Sequence, residues 1–176
     1  TFQNDADENL GVSLAGNGGL TKNGIGNLTI SAAATYAGET LINGGTLTTS
    51  GANLLSDVTT LRLAVTGTAL NLGGNEVIGA LIAASGSTIE LNTFNLTFGG
   101  AGVDATNTAT VSGTGAMIKN GAGLIYLNQA ASTYSGGFVL NAGVVALTAS
   151  GTYGPDGVAS SVFGTGALTL NGGTVR

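Results

Sequence analysis

Short alternations of apolar and polar residues recur along the whole chain. The clearest lie at residues 28–30, 61–65, 70–72, 88–92, 96–98, 125–127 and 168–170. Each places apolar side chains at i and i+2, on one face of a strand. Glycine pairs such as Gly44-Gly45 separate the runs, and glycine interrupts every window that could read as a helix. The pattern predicts an all-β protein built from many short strands.

Two architectures accommodate such strands: an antiparallel sandwich or barrel, and a parallel β-solenoid in which successive coils stack. The strands are shorter than the five or so residues usual in sandwiches. Asparagine also recurs after strands, where stacked amides hydrogen-bond along the axis of a solenoid, at Asn43, Asn92, Asn128, Asn141 and Asn171. Coils of roughly twenty residues would give about eight or nine layers, a rod of order 40 Å at about 4.8 Å per strand.

Two stretches of the chain nearly repeat each other, residues 19–47 and 119–145. Both contain Lys-Asn-Gly-x-Gly followed by Thr-Tyr-x-Gly and Asn-x-Gly. Lys22 corresponds to Lys119 and Tyr36 to Tyr134. Internal repetition is typical of stacked architectures, so it favours the solenoid. We find no linker and predict a single β-solenoid segment over residues 1–176.

The two stretches resemble the autotransporter-associated β-strand repeat, also called the passenger-associated transport repeat. The first copy follows the pattern of that family almost throughout, whereas the second has Phe138 at a usual threonine and Val144-Val145 in place of Thr-Leu. The resemblance implies a right-handed parallel β-helix outside a Gram-negative-type bacterium, in which the repeat supports folding and secretion of the passenger. The chain opens without Met or a signal peptide, so we expect a piece of a longer polypeptide.

Within the repeats, each residue type has an expected structural role. We expect inward-pointing side chains at Leu28, Ile30, Leu41 and Leu47, and corners with positive φ at Gly24, Gly26, Gly38 and Gly45. The rings of Tyr36 and Tyr134 should cover a corner with the hydroxyl in water. For Lys22 and Lys119 we favour a structural role at a corner, against backbone carbonyls, over a role in binding a ligand.

Composition narrows the range of partners. Only 7% of the residues are charged while 43% are hydrophobic, and the net charge is −5. A surface of Thr, Ser, Asn and Gly is therefore expected. The four cations are scattered along the sequence, which argues against a phosphate-binding surface and against nucleic acid as a partner. Cysteine is absent, so no disulfide framework exists.

Candidate chemistry is sparse. Without His or Cys, the chain lacks the residues of Ser-His-Asp triads, cysteine nucleophiles and common zinc sites. A carboxylate pair is the remaining catalytic option, and Glu76, Glu90 and Asp57 are its candidates, although solvated single charges are the preferred interpretation. Asp5, Asp7 and Glu8 cluster but do not fit the spacing of a calcium loop. We predict no enzyme, no catalytic, cofactor-binding or metal-binding residue and no cofactor.

The hypothesis is a structural segment of a secreted surface protein: a stalk, an adhesin shaft or an extracellular filament. Its expected partners are adjacent coils of the same parent chain or identical copies stacked end to end. The alternative is an adhesin module that binds a glycan or a cell-surface receptor through its uncharged flank or through the loop at residues 150–161. A polysaccharide-active enzyme is the third hypothesis.

Overall fold

The chain forms a parallel β-solenoid. The computed structural model describes residues 1–129, 131–154 and 157–176, and within them every regular element is a strand. The strands are two to four residues long, and they are numbered here in chain order. No helix in the described residues is long and apolar enough to cross a membrane. The predicted fold class, an all-β solenoid of short stacked strands, is confirmed.

Three faces carry the strands, and the chain passes them in turn, although some coils lack a strand on one face. Sheet 1 has nine strands: β1 (Phe2–Gln3), β4 (Leu20–Asn23), β7 (Thr40–Ile42), β9 (Thr60–Leu63), β12 (Ala80–Ala83), β15 (Ala105–Asn107), β18 (Leu124–Leu127), β20 (Val144–Leu147) and β24 (Thr174–Val175). Sheet 2 has six strands: β2 (Glu8–Leu10), β5 (Asn27–Ile30), β8 (Thr46–Thr49), β10 (Ala69–Asn71), β13 (Thr88–Glu90) and β16 (Thr110–Ser112).

The third face is divided between two sheets. A two-stranded sheet contains β3 (Ala15–Gly16) and β6 (Thr35–Tyr36). Sheet 3 has five strands: β11 (Glu76–Val77), β14 (Leu96–Phe98), β17 (Met117–Lys119), β19 (Phe138–Leu140) and β23 (Leu168–Leu170). All pairings in these sheets are parallel.

Stacking places residues about one coil apart directly above one another. Asn43, for example, lies 20 residues beyond its stacking partner Asn23. Within each strand, alternate side chains point inward, so that Leu61 and Leu63 of β9 are fully buried while Arg62 between them points outward. The inward columns of Leu, Ile, Val and Phe form one continuous core along the rod.

Stacked asparagines support the corners, as predicted. The side-chain Nδ2 of one asparagine donates to Oδ1 of the asparagine in the coil before it, in the pairs Asn43–Asn23 (3.0 Å), Asn92–Asn71 (2.8 Å), Asn141–Asn120 (2.8 Å) and Asn171–Asn141 (2.8 Å). Asn128 stacks on Asn107 through its backbone N–H. These amides add side-chain ladders to the backbone ladders of the sheets.

Two details of the first repeat differ from expectation. Leu28, Ile30 and Leu47 point inward as predicted, but Leu41 points outward and Thr40 and Ile42 fill the core on either side. Pairing of Leu41 with the outward Thr21 sets this register. Gly24 and Gly45 have positive φ. Gly26 and Gly38 do not, and glycine is required there because a Cβ would collide with the backbone of the coil before.

A hairpin interrupts the last coil. β21 (Thr152–Gly154) and β22 (Gly157–Ser160) pair antiparallel, unlike the strands of the solenoid. Residues 150–161, predicted as a loop, therefore contain this hairpin, and Pro155 lies outside the described residues. The insertion lengthens this coil, so that Asn171 lies 30 residues beyond its partner Asn141.

Candidate functional site at the lysine corners

The first repeat buries a lysine at the corner between sheets 1 and 2. Lys22 is 0% exposed. Its Nζ donates to the carbonyl oxygens of Asn23 (2.9 Å), Gly24 (2.8 Å) and Gly44 (3.0 Å). Three acceptors match the three hydrogens of an ammonium group. The lysine thus joins its own corner to the corner of the next coil.

The second repeat builds the same clamp. Lys119 is 1% exposed, and its Nζ donates to the carbonyl oxygens of Asn120 (2.6 Å), Gly121 (2.8 Å) and Ala142 (3.5 Å). The acceptors occupy the same positions in the repeat as those of Lys22. The predicted structural role against backbone carbonyls is correct for both lysines.

Glycine makes each clamp possible. Gly24 and Gly121 follow the two lysines by two residues, and their φ angles are +77° and +69°. Only glycine adopts this region without strain. A Cβ at either position would also collide with a carbonyl oxygen of the coil before, that of Asn4 or of Gly99. The Lys-Asn-Gly sequence therefore encodes a corner that turns tightly and offers its carbonyls to the ammonium group.

Burial affects the charge of both lysines. Desolvation lowers the pKa of Lys22 and of Lys119 from the ordinary value. The negative charges of Asp5 and Glu8 partly oppose this effect at Lys22. The carbonyl oxygens hold each ammonium group, so that the charge is hydrogen-bonded although no carboxylate touches it.

The two clamps lie on different faces of the solenoid. Lys22 belongs to β4 of sheet 1, and Lys119 belongs to β17 of sheet 3. Each nevertheless stacks on the same partner position, Lys22 on Ile42 and Lys119 on Leu140. The sequence analysis missed this rotation by one face. The offset of 97 residues between the lysines, which is not a multiple of the 20-residue coil, is the signal that could have revealed it.

The two repeat tyrosines do not keep their hydroxyls in water, contrary to expectation. Tyr36 and Tyr134 are buried. The Tyr36 hydroxyl contacts the hydroxyl of Thr40, which bonds to Thr59 at 2.9 Å. The Tyr134 hydroxyl donates to the carbonyl oxygen of Val162 at 3.3 Å. The neighbouring coils extend over both rings, and burial raises the pKa of both hydroxyls.

Glu76 departs most from the expected solvated charge. It is 1% exposed, and its carboxylate accepts from the backbone N–H of Leu54 (3.0 Å) and of Leu55 (3.2 Å). Burial raises the pKa of Glu76 to about 7. Glu90, its candidate catalytic partner, points outward from sheet 2, where it accepts from Ser112 at 2.6 Å. The structure therefore does not bring Glu76 and Glu90 together on one face.

The acidic N-terminal residues support the backbone of the following coil. Asp5 Oδ1 accepts from the N–H of Ile25 (3.4 Å), and Asp7 Oδ1 accepts from that of Asn27 (2.9 Å). Among the described residues, no three His, Cys, Asp or Glu side chains form a group that could hold a metal ion. The chemistry of these carboxylates is that of exposed caps on backbone donors.

Comparison with known protein families assigns these corners to a known repeat. The model of the passenger-associated transport repeat matches residues 20–48 and 117–147. The chain carries two passenger-associated transport repeats. Both matched stretches contain a clamp lysine, its glycine corner and the strand that stacks on them. The resemblance seen in the sequence is thereby confirmed.

One curated relative supports the same conclusion. The adhesin BmaC autotransporter of Brucella suis biovar 1 (strain 1330) is 31% identical to this chain, over an alignment that covers 93% of the chain. The chain spans only about 5% of the length of that relative. No solved structure matches the chain significantly. The repeats, the relative and the solenoid support a structural segment of a secreted bacterial surface protein or adhesin.

Proposed function

We propose that the chain is a shaft segment of a surface protein on a Gram-negative-type bacterium, in which the two repeats act as self-stacking clamps. The observation that carries the proposal is the pair of buried lysines, each bonded to carbonyls of its own coil and of the next. Such a clamp uses its charge to join coils and leaves none to bind a ligand. We infer a mechanical role without catalysis.

The exposed apolar end face of the rod is the observation that supports a partner which continues the stack. Leu168 and Leu170 occupy the inward columns, because they pair with the fully buried Phe138 and Leu140. They are nevertheless 40% and 59% exposed. A concavity of about 790 Å³ lies beside them, lined by Leu147, Val162 and Phe163 among others. A further coil would bury this apolar surface and pair with the free edges of β23 and β24.

We propose that this partner is another coil of the parent chain and that, for the isolated chain, a second copy takes its place. Sedimentation velocity over a concentration series, with electron microscopy, tests the proposal. We expect rods that lengthen with concentration. The double variant Leu168→Lys/Leu170→Lys should remain monomeric, because the charges would be buried by stacking.

A matched control carries the same charge change on the side of the rod. Val65→Lys/Val103→Lys alters two valines that are exposed away from the end face, and it should elongate as the unaltered chain does. A chain that is strictly monomeric at high concentration would contradict the proposal. So would an end-face double variant that lengthens as readily as the control.

A second candidate function rests on the outward face of sheet 2. Asn9, Thr29, Thr48, Asn71, Glu90 and Ser112 stack there in one column. Side-chain hydrogen bonds such as Thr48 to Asn27 (2.7 Å) order the hydroxyls and amides. An ordered polar face with a single carboxylate in this column suits the hydroxyl groups of a neutral glycan, and the relative is named an adhesin.

Glycan-array binding tests this second function. Thr29→Lys/Thr48→Lys should abolish any binding because it breaks the polar column, whereas Thr21→Lys on sheet 1 should leave it intact. An array without hits would exclude the glycan role and leave the shaft role unaffected. Deletion of residues 150–161, with cell adhesion as the readout, separately tests the hairpin as a receptor contact.

A further inference from the structure

The outward side of sheet 1 carries a continuous column of side chains, one from each of seven successive coils. The register of the parallel strands stacks these residues directly on one another. Six of them are at least partly exposed, and the seventh, Ala146, has only a methyl side chain. In order along the rod, this outer column of sheet 1 is Thr21, Leu41, Arg62, Ile82, Thr106, Tyr126 and Ala146.

The outer column has nearly the same order of residue types in both directions. Ile82 lies at its centre, and Leu41 and Tyr126 lie two levels away on opposite sides. The small residues Thr21 and Ala146 lie three levels away. A second copy turned end for end would therefore place apolar side chains opposite apolar ones. An interface between two identical chains related by a two-fold axis requires such self-complementarity.

Charge decides how the two copies are oriented. Among the seven residues of the outer column, all of which the structure describes, Arg62 is the one charged side chain. Two parallel copies in register would place Arg62 opposite Arg62, and like charges across an interface repel. An antiparallel copy places Arg62 opposite Thr106, and Asp104 lies two residues before Thr106 on the same outward side. The antiparallel orientation therefore pairs opposite charges, once in each half of the interface.

Both charged groups keep atoms free for this contact. Within the described residues, Arg62 uses only its Nε, which donates to Glu39 on the surface. The other N–H groups of its planar guanidinium can bond a second carboxylate. Asp104 is exposed, and its Oδ1 accepts from the N–H of Leu124 at 3.0 Å. A second copy can thus bring Asp104 to Arg62 without breaking either of these bonds.

We propose that the outward side of sheet 1 docks a second copy of this chain, antiparallel and with Ile82 of one copy opposite Ile82 of the other. Small side chains border the centre of the face, where Ala64 and Ala84 line a shallow groove of about 300 Å³. They let the two sheets approach closely. This partner is lateral, unlike the coil that continues the stack at the end face, and the inference does not depend on the shaft function.

The size of the face predicts a weak contact. Seven levels about 4.8 Å apart and a width of roughly four residues give about 500 Å² per partner. The total of about 1,000 Å² lies at the lower limit for specific interfaces. We therefore expect a dissociation constant on the order of 1 mM for two isolated chains. Lateral pairs stay rare at the micromolar concentrations of a sedimentation experiment, so their detection requires a covalent cross-link.

Cross-linking between single cysteines tests the arrangement, since the chain itself contains no cysteine. Packed sheets lie about 10 Å apart, beyond the reach of a disulfide, so a short bismaleimide is the probe. Every chain also carries Leu168→Lys/Leu170→Lys, which removes end-to-end stacking. Ile82→Cys alone, and Leu41→Cys mixed with Tyr126→Cys, should cross-link roughly 10-fold faster than Thr29→Cys, a matched control on the outward side of sheet 2.

The unmixed chains determine the orientation. Leu41→Cys alone and Tyr126→Cys alone should react no faster than the control, because antiparallel packing keeps each residue four levels away from its own counterpart. Faster reaction of either chain alone than of the mixture would show parallel packing. Rates equal to the control throughout would show that sheet 1 makes no lateral contact. Either result would overturn the proposal.

A charge exchange tests the contact between Arg62 and Asp104. In the Ile82→Cys chain, Arg62→Glu and Asp104→Arg should each slow cross-linking roughly 5-fold, because each places like charges together across the interface. The double variant Arg62→Glu/Asp104→Arg should recover at least half of the original rate. Both residues lie on the surface, so the variants should fold. A double variant as slow as the single variants would refute the antiparallel pairing.

Discussion

The two repeats share a clamp but differ in what packs behind it. In the first repeat, Thr40 lies in the core and links the hydroxyl of Tyr36 to that of Thr59, which donates to the carbonyl oxygen of Gly38 at 2.9 Å. In the second, Phe138 takes the equivalent position. Its ring lies 6.3 Å from that of Phe98 and 5.3 Å from that of Phe163, measured between centroids.

The comparison distinguishes the features that both copies share from the one position that depends on the neighbouring coils. The lysine, its glycine corner and its asparagine ladder are the same on two faces of the solenoid. The residue at position Thr40 or Phe138 instead adapts to the neighbouring coils. In one copy, polar side chains hydrogen-bond to one another, and in the other copy an aromatic cluster fills the core.

The clamp lysines should produce the largest effects. Lys22→Met and Lys119→Met preserve most of the volume but leave three carbonyl oxygens without their donor, and each should lower the free energy of unfolding by about 3–5 kcal/mol. Lys22→Met should lower the free energy of unfolding more than Lys119→Met. The carbonyl oxygen of the next coil lies closer to Nζ in the first clamp (3.0 Å) than in the second (3.5 Å), and Asp5 and Glu8 attract the charge of Lys22. Urea unfolding measures both.

Arg62→Met serves as the control for the lysine variants. Arg62 pairs with Glu39 on the surface, where each side chain is more than one-third exposed, and such pairs contribute about 1 kcal/mol or less. A lysine variant as mild as this control would show that the clamp does not stabilise the coil.

Exchange of the residues behind the clamp should have the next largest effect. Phe138→Thr removes a fully buried ring and should cost about 3 kcal/mol. Thr40→Phe overpacks the first repeat and breaks the hydroxyl chain, and it should also destabilise, by about 2–3 kcal/mol. Thermal unfolding of both variants, with the outward Val139→Thr as a near-neutral reference, measures the difference. Stabilisation by either exchange would mean that the two interiors are interchangeable.

The region between the repeats should respond to pH. Because the folded pKa of Glu76 lies above its ordinary value, its stabilising contribution is complete below pH 4.5 and is lost as the pH rises through about 7. The expected loss approaches 3 kcal/mol between these limits. Unfolding free energies measured from pH 4 to pH 8 should show this slope, and Glu76→Gln should flatten it. An unchanged slope in that variant would contradict the assignment.

The two tyrosines should show the smallest difference. Tyr36→Phe removes one member of a connected chain of hydroxyls and should cost about 1.5 kcal/mol. Tyr134→Phe removes one longer bond to Val162 and should cost about 0.5 kcal/mol. Denaturant midpoints at constant slope provide the comparison. Equal losses of unfolding free energy in the two variants would show that the connected hydroxyls of the first repeat contribute as independent hydrogen bonds.

Local patterns predicted most of the fold, because strands and corners depend on neighbouring residues. The alternation at residues 28–30 and 96–98, the asparagine ladders and the role of Lys22 all follow from sequence. The face on which a motif lies depends instead on the accumulated lengths of all the coils before it. For the same reason, the acceptor role of Glu76 could not be predicted. Its carboxylate accepts hydrogen bonds from the coil before it, at a place where the third face has no strand.

The outward position of Leu41 has a similar cause. Its apolar character favours the core, but its register with Thr21 places Thr40 and Ile42 inside. The buried hydroxyls of Tyr36 and Thr59 make the polar Thr40 acceptable there. Side-chain character alone therefore predicted the wrong face for Leu41.

Each repeat contains both the lysine corner and the strand that stacks on it, so a copy is complete in slightly more than one coil. The same lysine corner fits on two different faces of the rod. A gene that encodes such a rod could therefore gain or lose whole coils without requiring compensating changes in distant coils. The length of the rod would then be free to vary between related strains while the cross-section stays the same.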